Sequence, residues 1–241
     1  MRHFLVPAAV AAIAWAGCAG EPRAPQPARE KAPAPATTLV FDELPCDPRT
    51  GGDHDPVHEL RARANRLAIA IEADYLAIKR VVPHETAAYA ERGEACGGAT
   101  NRIACQRALS ELERTNAPAA IPCPGSGDCP ERTYVLTTHG DTPHLWSSPE
   151  AIRLLLGPID CADDAWLMAQ AVENATPYLC GDRDFSAVRA DANGYELRER
   201  RYANRCPVEL IEIRYRVNRD GAVQRLKSAI VLTDPNCSSS F

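Results

Sequence analysis

Several things are missing from this chain, and each absence closes off a class of chemistry. No Gly-x-Gly-x-x-Gly or P-loop pattern occurs, so nothing in the sequence points to a dinucleotide or nucleoside-triphosphate cradle. None of the ten cysteines forms a Cys-x-x-Cys, which removes the thioredoxin-like and zinc-ribbon readings. His-Glu-x-x-His is absent as well. Ser126 lies between two glycines but inside a Pro/Gly stretch, without the strand and helix that a nucleophile elbow needs. There is no basic excess either. The chain has 27 Lys and Arg against 32 Asp and Glu, and phosphate binding rests on the opposite balance, so nucleic acid is not an expected partner.

Long hydrophobic runs are scarce too. Phe4 to Trp15 is apolar but too short to span roughly 30 Å of hydrocarbon, so a retained transmembrane helix is not expected there. With Met1-Arg2-His3 before it and small residues after it, the run has the layout of a secretory leader. Its ending, Ala16-Gly17-Cys18, resembles the lipobox of bacterial lipoproteins, with Trp15 where that family usually has Leu. The resemblance implies removal of residues 1–17 and acylation of Cys18; an ordinary leader cut near Ala19 is the alternative. Ala19 is similar to the residue following the cysteine in members sorted to the outer membrane. Residues 18–40 then form a tether rich in Pro and Ala, which favours extended polyproline II and buries no core.

Nine cysteines follow Cys18, scattered as befits disulfides in an oxidising compartment. Local pairing would join Cys96 to Cys105, Cys123 to Cys129, Cys161 to Cys180 and Cys206 to Cys237, leaving Cys46. Connectivity does not follow from sequence, so each pair is an expectation.

The body divides into a helical part, 41–132, and an α+β part, 133–241. In the first, Asp55 and Pro56 suit a helix start, and apolar residues at 60, 64, 67, 71, 75, 78 and 82 predict one amphipathic helix ending before Pro83. A further helical piece is expected over 85–92. Another helix is predicted over 101–114, with Ile103, Ala104, Ala108 and Leu112 inward. In the second part, 133–138 reads as a strand and 145–147 as a short one. Helices follow over 149–156, capped by Ser147 or Ser148, and from Asp160 or Ala162 to Glu173. From Ser186 the period is two: Tyr195 and Leu197, then Ile211, Ile213, Tyr215 and Val217, alternate with charged residues. Asn218 to Gly221 is a hairpin turn. The expected fold class is α+β, with helices packed on an antiparallel, disulfide-braced meander. The wording of residues 140–170, 194–201 and 206–221 is similar to a module of uncharacterised secreted bacterial lipoproteins covering 133–237. That resemblance implies export and α+β organisation, and no activity.

Candidate chemistry is sparse, and no cofactor or metal is expected. His54 and His58 stand four apart among acids, which suits a metal pair or simply an acidic helix start. His139, Asp141 and His144 share a short stretch, as a general base or metal ligands would, or as a polar hairpin would. Asp163-Asp164 reads as a helix start and Asp182-Arg183-Asp184 as a turn. Arg198, Arg200, Arg214 and Arg216 would share the outer face of the meander with Glu196 and Glu212, as an anion-binding surface or as cross-strand ion pairs. The functional expectation is a membrane-anchored, non-enzymatic binding or structural module. Its partners would be the membrane, through the lipid, and an envelope protein or polysaccharide. A hydrolase or metal-dependent enzyme using His139, Asp141 and His144 is the alternative.

Overall fold

Six consecutive residues, Thr133 to Thr138, are buried in the strand Arg132–His139, so both faces of that strand are covered. A strand with one wet face would expose every second residue instead. The computed structural model describes residues 64–82, 85–119, 132–175 and 186–235. Among these the elements run β1 (Tyr75–Val82), β2 (Glu85–Gly93), α1 (Arg102–Asn116), β3 (Arg132–His139), β4 (Thr142–Trp146), α2 (Pro149–Leu156), α3 (Ala162–Glu173), β5 (Ser186–Asp191), β6 (Gly194–Arg205), β7 (Val208–Asn218) and β8 (Val223–Asp234). Two antiparallel sheets result, ordered β2-β1-β3-β4 and β5-β6-β7-β8, and the fold is α+β.

Helix α3 sits between the sheets. On one side Leu76, Ile78 and Val135 of the first sheet pack with α2 and α3. On the other, Val188, Leu197, Ile213, Tyr215 and Val217 of the second sheet join the same core. Every residue of α3 from Asp163 to Gln170 is therefore buried, and an apolar stripe on one face would not have sufficed. The far face of the first sheet, through Ala77, Val81, Tyr134 and Leu136, rests on Leu109 of α1.

The long helix expected up to residue 82 is corrected. Residues 64–66 are helical, but Tyr75–Val82 is β1 and the helical piece expected at 85–92 is β2. Leu76, Ala77, Ile78 and Val81 are all buried because β1 is an inner strand covered on both faces. Such a strand loses its period of two, and its apolar positions fit helical spacing by accident. β1 pairs with β3 from Tyr75–Thr138 to Val81–Arg132, so one sheet spans the boundary drawn at 132.

Helix α1 lies where expected, with Asn101 Oδ1 accepting from Ala104 N at 3.0 Å, but it is turned. Cys105 and Leu109 face inward while Ile103 is 73% exposed. The cause is covalent: Cys96 and Cys105 are joined, which points Cys105 at the sheet. Glu113, two turns on, takes bonds from Tyr134 Oη at 2.6 Å and Lys79 Nζ at 2.5 Å. Replacing both cysteines with serine removes a short covalent loop and should cost about 3 kcal/mol, read as a lower urea midpoint. A variant with the parent's midpoint would show that the bridge does not hold α1 in place.

The remaining pairings divide. Cys206 is disulfide-bonded, and its expected partner Cys237 lies outside the described residues. Cys161 corrects the third pair. It keeps a buried thiol, which donates to Arg66 O at 3.6 Å and bonds Asp164. Cys18, Cys46, Cys123, Cys129 and Cys180 lie outside the described residues.

From residue 133 the local chemistry and the elements agree. Ser148 Oγ caps α2 by accepting from Ala151 N at 3.1 Å, and Gly157 ends it at φ 71°. Asn174, left-handed at φ 52°, ends α3. At the β7–β8 turn Gly221 has φ 82° and donates to Asn218 O at 2.9 Å. An added Cβ at Gly194, φ 142°, would lie 2.2 Å from Val217 O, so that turn requires glycine.

Residues 64–70 form a strap bonded to the start of α3. Arg66 forks onto Asp163 at 2.6 and 3.3 Å, and Ala68 N donates to Asp164 Oδ1 at 3.1 Å. Arg92, on β2, donates to Ala64 O at 3.0 Å and Leu67 O at 3.1 Å. Asp164 is fully buried. Desolvation pushes its carboxyl up to about 7, against the bonds from Cys161, Ala68 and Asp160 that favour the charged form. Asp163 and Asp164 thus begin a helix, as expected, and also fasten the strap.

Candidate functional site

His139, Asp141 and His144 fall on the β3–β4 hairpin, and all three are exposed. Each has its own neighbour. His139 Nε2 is 3.9 Å from Glu72, Asp141 accepts from Asn101 N at 2.9 Å, and the His144 ring lies 5.8 Å from that of Trp146. Asp141 therefore steadies the start of α1, as hairpin chemistry would have it. A cleft of about 220 Å³ between Pro118, Arg132, Ser147, Pro149 and Asn174 contains none of the three. His54, His58, Ser126, Asp182 and Asp184 lie outside the described residues.

The outer face of the second sheet concentrates charge. Pairing register lays it out in rows. Arg189, Glu196, Arg216 and Gln224 form one row across β5 to β8. Arg198, Arg214 and Lys227 form the next, followed by Arg200, Glu212 and Ala229, then Tyr202, Leu210 and Leu232. Neighbouring strands lie about 4.8 Å apart, so the second row sets three cations side by side. Like charges directly opposite one another destabilise a sheet.

Two carboxylates offset that cost. Glu196 and Glu212 are only 5% and 8% exposed although they face outward, because arginine side chains lie over them. Glu212 takes two bonds from Arg200, at 3.0 and 2.9 Å, and one from Arg214 at 2.9 Å. Burial raises the Glu212 carboxyl, but the bonds from Arg214 and Arg200 outweigh it and hold the group below its ordinary value. Arg189 pairs with Glu196, and Arg214 lies 3.9 Å from it. Asp191 accepts a fork from Arg216 at 2.5 and 2.6 Å, which holds its carboxyl low.

From the Asp191–Gly194–Asn218 row to the Arg200–Glu212–Ala229 row, the face thus carries six cations against Asp191, Glu196 and Glu212, a local excess of three positive charges on a chain whose net charge is −5. Lys227 is exposed and has no ion-pair partner among the described residues. The period of two identified Arg198, Arg200, Arg214 and Arg216. Arg189, Asp191 and Lys227 were missed, and only strand register brings them onto the face.

The face can bind an anion by charge, and its paired arginines hold their forks in fixed positions. Among the described residues no His, Cys, Asp and Glu group is placed to hold a metal ion, and no helix is long and apolar enough to cross a membrane. No protein-family model, curated protein or solved structure matches this chain.

Proposed function

We propose that this protein is an exported lipoprotein, acylated at Cys18 and held on the outer membrane, whose body is a non-enzymatic binding module. The observation that carries the binding part is the second sheet's outer face, where three adjacent cations override the acidic balance of the chain. The lipobox-like Ala16-Gly17-Cys18 and the Pro/Ala tether support the anchor. Acyl chains on one cysteine give firm attachment, since each buried methylene contributes about 0.8 kcal/mol. An enzyme using His139, Asp141 and His144 gains no support from three exposed side chains with separate neighbours.

Cys18→Ala in a bacterial host with two membranes tests the anchor. After a high-salt wash, which removes proteins held by charge alone, the parent should stay with membranes and carry acyl mass on its N-terminal peptide, and the variant should lose both. Equal membrane retention of the two, with no acyl mass on the parent, would overturn it.

A further inference from the structure

Among the described residues, strand β8 is one edge of the second sheet and carries four of the exposed aliphatic side chains. Leu226, Ile230, Val231 and Leu232 are 47%, 56%, 46% and 52% exposed, whereas most large apolar side chains among the described residues are buried or half-buried. Ile230 stands opposite Ile211 on the side of the core, and Leu232 stands opposite Leu210 on the outer face. The edge therefore offers apolar groups on both faces of the sheet. Among them lie Lys227 and Arg225, the latter pairing with Glu173 at 2.8 Å.

An exposed edge usually invites another strand. This one is a poor template. The register of β7 with β8 shifts twice, leaving Val231 and Leu226 as extra residues on β8, so the edge is kinked at two bulges. A partner that needs a straight ladder of backbone bonds is disfavoured there. One that needs only apolar volume beside negative charge is not.

We infer that β8 and the adjoining Arg198–Arg214–Lys227 row dock the protein against a bilayer surface bearing anionic lipid headgroups. The cations meet lipid phosphates, each basic group near such a surface adding about 1 kcal/mol. The β8 aliphatics enter the boundary between headgroups and acyl chains. Tyr202, Leu210 and Leu232, in the row beyond Arg200 and Glu212, continue the apolar margin. A polysaccharide would use the cations but leave the aliphatic edge without a role, and for that reason lipid is preferred. The inference rests on the outer face being the binding face, and is independent of acylation at Cys18.

The test uses the full chain carrying Cys18→Ala, which removes the lipid anchor, with vesicles of phosphatidylcholine alone or mixed with phosphatidylglycerol. Co-sedimentation should be strong with the mixed vesicles, weak with the neutral ones, and reduced by salt. Lys227→Glu reverses one charge and should weaken binding about 30-fold. A Val231→Ser/Leu232→Ser double variant should weaken it several-fold at unchanged circular dichroism. Equal binding to both vesicle types, or to neither, overturns the inference. So does binding to soluble polygalacturonate without binding to vesicles, which would reassign the face to anionic glycans. Because fractionation after a salt wash reads the anchor and sedimentation reads the face, either can fail alone.

Discussion

Replacing Trp166 with alanine should lower folding stability by about 3–5 kcal/mol, the largest effect expected of any single core truncation here. Trp166 is fully buried on α3, in the core that takes side chains from both sheets and from α2. A residue at the margin of a core leaves a void that loops can partly fill. This one stands between two sheets whose strands are tied by backbone ladders, so collapse around the gap is limited. Urea unfolding followed by circular dichroism measures it. Trp166→Phe, which keeps most of the volume, should lose much less. A loss under 1 kcal/mol for the alanine variant would show that α3 is not the shared centre of the fold.

The second large effect depends on pH. The Asp164 carboxyl titrates at about 7 in the folded protein, because desolvation outweighs the bonds it accepts, and near 4 when unfolded. The folded state therefore holds the proton more tightly. Its stabilising effect is fully present below pH 4 and is lost as pH rises through 7. The difference amounts to about 4 kcal/mol, at about 1.4 kcal/mol per pH unit over roughly three units. Asp164→Asn keeps an acceptor for Ala68 N and cannot ionise. Relative to the parent, it should gain stability from pH 4.5 to about 7 and level off by pH 8.5. A gap between the two that stays flat across this range would refute the assignment. Nearby charges such as Arg92 and Arg66 persist in both proteins, so they cancel in the comparison.

Where the sequence was legible, local rules and tertiary packing agreed. Ser148 before Pro149, the glycine after Leu156 and the alternation from Tyr195 to Val217 each specify a structure that the neighbours also want. Strand β1 was hidden for a physical reason. Leu76, Ala77, Ile78 and Val81 need burial on two faces at once, and only the later pairing with β3 and packing of α1 supply the second cover. The inward face of α1 was hidden by the disulfide, which turns Cys105 inward and leaves Ile103 in water. The charged face was half visible. Alternation places arginines on one side of each strand, but whether Arg198 faces Arg214 or a carboxylate depends on register, which composition does not carry.

The strap at residues 64–70 has a mechanical consequence. Tension applied at Ala64 meets polar contacts before it meets a sheet. The fork from Arg66 to Asp163, the Arg92 bonds to Ala64 and Leu67, and the bond from Ala70 N to Leu155 O at 2.7 Å would share that load. They divide it among α3, β2 and α2 rather than peeling one strand from its ladder. In single-molecule pulling through a handle fixed at residue 64, the strap should detach as a distinct early step and leave both sheets intact until a higher force.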